Sequence, residues 1–285
     1  MNKILFVGCF LAALHLSALS SLFRDGMKIS FWGDSIVQHG TQEGGFIHLF
    51  MDGLKRSGIR NAAFVNEGIG GARSSTMLER LDHMLKKKPD LIVLHCGTND
   101  VGWGKQGCTL PQYKENMGKI LDRCAKEGIP VFLVTPTMHT EQAESKNNLL
   151  LKGYCEFLRE TAKNRSLLLA DWNARMHAVL KSKKIDGDRM LVLTVDKLHL
   201  NGYGNRYFAE SMLAAAGVPE ETIAQWEKEW DMLPAMTVML NVWHKPQYKI
   251  SIRDFQKLRA EAKKRKTTVD DLLKKAMNDY IQTLQ

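Results

Sequence analysis

No apolar run in this chain reaches the roughly 20 residues that a membrane-spanning helix needs. The longest, Ile4–Leu14, has 11 residues. Internal repeats and low-complexity tracts are missing too, which excludes solenoid and propeller architectures and long disordered tails. The five cysteines have neither the spacing of a metal site nor that of a disulfide framework. Cys9 lies in the first apolar run, Cys96 in an apolar strand, and Cys124 and Cys155 in helical patterns, so buried free thiols are expected for Cys96, Cys108, Cys124 and Cys155. A strong charge on the main body is also absent. The formal net charge is +9, but the stretch from Lys245 to Gln285 holds 11 Lys+Arg against 5 Asp+Glu and so carries two thirds of the excess. The remainder is close to neutral and need not take an anionic substrate, whereas the tail suits an acidic polymer, nucleic acid or an anionic surface.

What remains is a globular balance, 44% hydrophobic and 25% charged over 285 residues, enough for one large domain and a small appendage. The amino terminus reads as a secretory leader: Lys3, the apolar run, then Ala18-Leu19-Ser20 with small residues where a signal peptidase reads, so cleavage after Ser20 and export to the periplasm or medium are expected. The alternative is a cytoplasmic protein whose translation starts at Met27, just before the first predicted strand.

From Met27 onward, short apolar runs alternate with amphipathic stretches. Strands are predicted at Lys28–Trp32, Ala62–Asn66, Asp90–Cys96, Val131–Pro136 and Leu167–Asp171. Helices are predicted at Gly45–Ser57, Ser74–Lys87, Gln112–Glu127, Asn147–Asn164 and Gly202–Ala215, the last with Tyr207, Phe208, Met212 and Leu213 on its buried side. Strands that are apolar throughout and separated by helices imply a parallel sheet covered on both faces, a three-layer α/β/α sandwich of about five strands. Ligands in such folds bind at the carboxyl ends of the strands. Residues 219–247, with Trp226, Trp230 and Trp243, read as a helix packing back on the body and a connector.

Four islands fall at those strand ends: Gly33-Asp34-Ser35, Asn66-Glu67-Gly68-Ile69-Gly70-Gly71, Gly97-Thr98-Asn99-Asp100 and Asp196-Lys197-Leu198-His199. Each has a plain structural reading: Ser35, Asn99 and Asp100 as helix caps, the glycines as a turn, His199 as a surface histidine before a helix. Together they supply every part of an acyl-transfer site. A serine is a poor nucleophile until a neighbour takes its proton. His199 can do so, with Asp196 three residues earlier to fix its tautomer. The Ser35 and Gly71 N–H groups and the Asn99 amide can hold a developing oxyanion. His95, on a buried strand, reads as a core histidine rather than a ligand.

In these blocks residues 27–218 resemble the SGNH hydrolases, also called GDSL esterases/lipases, named for the Ser, Gly, Asn and His that stand here as Ser35, Gly71, Asn99 and His199. The resemblance implies a flavodoxin-like sandwich, a Ser35–His199–Asp196 triad and no metal or cofactor. Ile36 replaces the leucine of the Gly-Asp-Ser-Leu form, apolar for apolar. Members of that family cleave acetyl groups from polysaccharides, fatty esters, lysophospholipids and thioesters. No long insertion between blocks suggests a lipid-covering lid, so a short acyl ester, acetyl on carbohydrate, is expected, with lipid or thioester acyl groups as the alternative. His39, Arg73 and Trp103, each a few residues beyond a block, are candidate substrate contacts.

In Tyr248–Gln285, alternation over Tyr248–Arg253 predicts a strand. Helical spacing of Phe255, Leu258 and Ala262, a Thr268/Asp271 capping box, and a stripe from Val269 to Ile281 predict two helices. This segment is similar to ribbon-helix-helix modules. The likeness implies a homodimer, with Tyr248, Ile250 and Ile252 in its core and Lys249, Ser251 and Arg253 facing DNA. A DNA-associated protein on a hydrolase scaffold is therefore the alternative of a different class.

Overall fold

In a computed structural model of the chain the described residues are 21–183, 191–236 and 252–284. The leader expected over residues 1–20 and Trp243 lie outside them. The chain divides into two compact units, residues 1–240 and 241–285.

Among the described residues of the first unit five strands form a sheet: β1 (Lys28–Trp32), β2 (Ala63–Asn66), β3 (Leu91–His95), β4 (Val131–Val134) and β5 (Leu168–Ala170). They pair in the order β2-β1-β3-β4-β5, all parallel. Eleven residues in β1, β3 and β4 show how a strand buried on both sides is written in sequence. Ile29, Phe31, Leu91, Val93, Phe132 and Val134 point into one core, whereas Trp32, Ile92, Leu94, Val131 and Leu133 point into the other. The period of two survives although nearly every position is apolar.

The helices of this unit are α1 (Ser35–His39), α2 (Phe46–Arg56), α3 (Ser74–Glu79), α4 (Leu81–Leu85), α5 (Thr98–Gly102), α6 (Leu110–Lys126), α7 (Lys146–Arg165), α8 (Trp172–Lys183), α9 (Gly202–Ala215) and α10 (Glu220–Asp231). α2, α8, α9 and α10 cover one face through Phe46, Phe50, Trp172, Met176, Phe208, Met212, Ile223 and Trp230. α3, α4, α6 and α7 cover the other through Met77, Met84, Met117, Ile120, Leu151 and Leu158. In α9 Phe208, Met212 and Leu213 are buried as expected, and Tyr207 is half-buried. Trp226 and Trp230 of α10 pack back on the first face. The four cysteines within the described residues are free and buried.

Phe23, ahead of the predicted first strand, is also core. It is 1% exposed and meets Phe50 and Phe132 edge-on. A side chain of that size contributes about 1.5–3 kcal/mol on burial. The core of this unit therefore includes a residue ahead of Met27.

Three features differ from the sequence reading. The stretch Ser74–Lys87 is two short helices, not one, because the chain bends at Arg80 (φ −94°, ψ 0°). There the guanidinium reaches the carbonyl and carboxylate of buried Glu67 at 3.2 and 3.1 Å. α8 was not expected at all. In the second unit, α11 (Ile252–Lys264) and α12 (Val269–Gln282) match the predicted helices, the latter capped by Thr268, whose hydroxyl accepts the Asp271 N–H at 3.1 Å. Of the predicted strand, residues 248–251 lie outside the described residues, and Ile252 and Arg253 open α11 instead. Leu273, Met277, Tyr280, Ile281 and Leu284 leave this unit's second helix and its end with exposed apolar side chains. Among the described residues no helix is long and apolar enough to cross a membrane.

Candidate active site

The sheet order reverses at β1, which lies between β2 and β3, so the loops after these strands open a crevice at their carboxyl ends. The first three islands occupy those loops.

Ser35 is the first residue of α1, capped by Asp34, whose side chain accepts the Ile36 N–H at 2.9 Å. The turn runs tight against β3: a Cβ on Gly33 would lie 2.7 Å from the His95 carbonyl oxygen, so no larger residue fits without moving backbone. The second island is tied to the first by the Ile69 N–H donating to the Gly33 carbonyl at 3.1 Å. Gly71 has φ +74°, a left-handed turn, and a Cβ there would meet Trp103 Cζ2 at 2.9 Å. The third island begins at Gly97, φ +132°, and puts Asn99 in the first turn of α5. The Asn99 amide donates to the Ala72 carbonyl at 3.1 Å and, more weakly, to Asp34 Oδ2 at 3.4 Å. One side chain thus bridges the neighbours of both Ser35 and Gly71. Among the described residues the Ser35 and Gly71 N–H groups have no acceptor.

The fourth island comes to the same place. His199 Nε2 lies 2.9 Å from Ser35 Oγ, and Nδ1 lies 2.6 Å from Asp196 Oδ2. Asp196 Oδ1 accepts the Leu198 and His199 N–H groups at 3.0 and 2.8 Å. Lys197, at φ +81°, makes the sharp turn between them, a conformation that costs a non-glycine residue energy. Partial burial works to raise the Asp196 carboxyl. The ring and backbone N–H donors of His199, with that of Leu198, outweigh it and hold the group below its usual range. With Asp196 charged, Nδ1 keeps its proton and Nε2 is free to accept the Ser35 hydroxyl proton.

Of the three further residues named from sequence, His39 lies with its ring centroid 5.1 Å from that of His199. Burial, and then the His199 charge, lower its proton affinity. Trp103 packs on Gly71 and is still 48% exposed. Arg73 sits behind it, its guanidinium 5.5 Å from the Trp103 ring centroid and bonded to the Gln106 carbonyl. Asp100 holds α5 to α3, accepting the Ser74 N–H at 3.1 Å.

One buried pair escaped the sequence reading. Asp34 is pushed up to about 7, chiefly by burial, and His95 is pushed down to about 3 by the same cause. The Thr137 N–H donates to His95 Nε2 at 3.2 Å, which leaves the proton of the neutral ring on Nδ1, 3.8 Å from Asp34 Oδ1. At neutral pH the histidine is uncharged and the two are not an ion pair.

A family model described as the GDSL-like lipase/acylhydrolase family matches residues 31–207. Among solved structures, the acetyl xylan esterase AlAXEase is 29% identical, with a TM-score of 0.62 over 66% of this chain and 99% of that one. Axe2, an acetylxylan esterase from Geobacillus stearothermophilus, is 20% identical, with a TM-score of 0.61 over 70% and 98% of the two chains. LAE5, an alpha/beta hydrolase from the metagenome of Lake Arreo, Spain, is 22% identical, with a TM-score of 0.60 over 69% and 97%. The last two likenesses bear on fold alone. No curated protein matches the chain.

Proposed function

Since the chain belongs to the GDSL-like lipase/acylhydrolase family and is an SGNH-type serine esterase, we propose that it removes short acyl groups, acetyl above all, from carbohydrate through a Ser35–His199–Asp196 triad. The observation that carries the reading is the unbroken hydrogen-bond chain from Ser35 Oγ through both nitrogens of His199 to Asp196. His199 Nε2 takes the Ser35 proton as Oγ attacks the ester carbonyl carbon. The oxyanion that forms is held by the Ser35 and Gly71 N–H groups and the Asn99 amide, which gives up its longer bond to Asp34 for the purpose. The protonated His199 then gives its proton to the leaving alkoxide. Water, activated by the same ring, releases the acid and restores Ser35. Nothing in these steps calls on a metal or cofactor.

The carbohydrate acetyl assignment draws on the likeness to an acetyl xylan esterase over nearly the whole of that enzyme. Trp103 adds to it: a half-exposed indole packed on Gly71 would limit the length of an acyl group there and offers a face for a sugar ring. His39 and Arg73 are proposed to line the same rim. We also propose export after cleavage at Ser20. A chain starting at Met27 would lose Phe23 from the core. The hydrolase domain is proposed to run to about residue 218, with 219–247 as its packed helix and connector and 248–285 as an accessory unit. The exposed apolar residues of α12 favour self-association of that unit over nucleic-acid contact.

The test is a fluorophosphonate adduct read by intact mass, followed by hydrolysis of acetylated xylo-oligosaccharides and of esters of rising acyl length. One adduct is expected, absent from Ser35→Ala, whose hydrolysis falls on the order of a millionfold. A folded Ser35→Ala protein with full activity would remove Ser35 from the mechanism. Faster turnover of long acyl esters than of acetyl would move the substrate to lipid or thioester.

A further inference from the structure

Glu141 belongs to none of the four islands. It lies in the loop between β4 and α7 and is 5% exposed. Its carboxylate accepts four hydrogen bonds, all from one segment. Oε2 accepts the Val192 N–H at 2.8 Å. Oε1 accepts the Leu193 and Thr194 N–H groups at 2.7 and 2.8 Å and the Thr194 hydroxyl at 2.7 Å. Three successive backbone N–H groups converging on one anion form a nest, which offsets the cost of burying the charge.

The segment so held leads directly into Asp196 and His199. Thr194 pairs antiparallel with Leu200, and the Val195 N–H donates to the His199 carbonyl at 2.8 Å. Asn201 closes the other side: its N–H donates to the Leu193 carbonyl at 2.9 Å and its amide to the Val192 carbonyl at 3.1 Å. Residues 192–201 are therefore a small closed loop. On the far side of Glu141, Asn148 of α7 clamps the backbone: it accepts the His139 N–H at 2.7 Å and donates to the Thr140 and Gln142 carbonyls, each at 2.8 Å. A chain of bonds runs from α7 through Glu141 to the loop that carries the base.

We propose that Glu141 is a positioning residue that holds the Asp196–His199 loop in register with Ser35 by anchoring the backbone of residues 192–194. It touches no reacting atom, and the inference rests on the hydrolase reading above. Only a carboxylate satisfies the site. An amide of the same size offers one acceptor oxygen and turns an N–H₂ group toward N–H donors. The 2.9 Å contact between His199 and Ser35 tolerates little drift, and a displacement of about 1 Å costs roughly a hundredfold in rate.

The experiment compares the wild type, Glu141→Gln and Thr194→Val in full-length protein. Three readouts are taken: kcat and KM on an acetyl ester, the rate of fluorophosphonate labelling, and the low-field proton NMR signal of the hydrogen bond between His199 Nδ1 and Asp196. For Glu141→Gln, kcat and labelling rate fall together by about a hundredfold, KM changes little, and the low-field signal broadens or moves. Thr194→Val loses only the hydroxyl bond and gives a smaller change in the same direction. It decides the question if Glu141→Gln does not fold. Folded variants with wild-type kcat and an unchanged low-field signal would overturn the proposal. Absence of labelling in the wild type would instead sink the hydrolase reading, and the NMR comparison would still decide whether Glu141 orders the loop.

Discussion

Replacing Asp34 with Asn should make the protein sensitive to mild acid, and the size of the effect can be worked out. The folded carboxyl titrates at about 7 against an ordinary value of 3.8, because burial penalises the charged form by more than the Ile36 N–H and the His199 charge restore. Between those values the folded state keeps a proton that the unfolded state releases. The native state binds more protons, so this group's contribution to stability falls as pH rises and grows as pH falls. At about pH 8 it is near zero, at about pH 5 it is about 2.5 kcal/mol, and at lower pH it levels off near 4 kcal/mol. His95 works in the opposite sense. Its folded value of about 3 lies below its ordinary 6.5, so it costs stability as pH falls, about 2 kcal/mol at pH 5. The two neighbours nearly cancel in the wild type. Asn keeps the cap, since its side-chain oxygen can accept the same Ile36 N–H, but it has no proton to gain. Urea unfolding of wild type and Asp34→Asn at about pH 8 and pH 5 is the assay. The stability difference should shift toward the wild type by about 2.5 kcal/mol on acidification, or roughly 5–10 °C in Tm for a domain of this size. A difference constant to within about 0.5 kcal/mol across that range would refute the idea that the buried carboxyl holds its proton.

Two further substitutions probe the crevice itself. Asn99→Ala should lower kcat on an acetyl ester by about a hundred- to a thousandfold with KM little changed, and steady-state kinetics at constant pH checks it; equal losses in binding and turnover would argue for a collapsed loop instead. Trp103→Ala should widen the space beside Gly71, raising the ratio of butyryl to acetyl ester hydrolysis by about tenfold or more, and an unchanged chain-length profile would take Trp103 out of the acyl pocket.

How much of this was legible in the sequence differs from element to element, for physical reasons. The five strands stand within one or two residues of their predicted bounds; for the central β1, β3 and β4 the reason is that a strand buried on both faces must be apolar nearly end to end. α9 runs from Gly202 to Ala215, as its cap and buried face imply. Four separate islands converge because each follows a strand or closes on a helix start, and the sheet order then brings those ends together. What local pattern could not supply was contact between distant segments. The break at Arg80 comes from its reach to Glu67, 13 residues earlier. The alternation before α11 was ambiguous because Ile252 fits both the period of two set by Tyr248 and Ile250 and the helical spacing that continues to Phe255 and Leu258, and six residues are too few to separate the two periods. α8 has apolar residues at 172, 176, 179 and 180, a helical spacing that was present in the sequence but not used.

Asp34 and Glu141 mark the deeper limit. A buried carboxylate in a sequence looks like any surface carboxylate, since its partners are backbone N–H groups that every residue but proline possesses. Glu141 meets its nest across more than 50 positions. No spacing rule connects such a pair, yet the bond decides where Asp196 and His199 stand. The reacting groups are readable because chemistry restricts their types, whereas the groups that hold them in place are restricted only by the fold. Beyond Asn99, further variants with large effects on kcat and small effects on KM are expected at buried polar residues outside the four islands, and Glu141 is the first place to look.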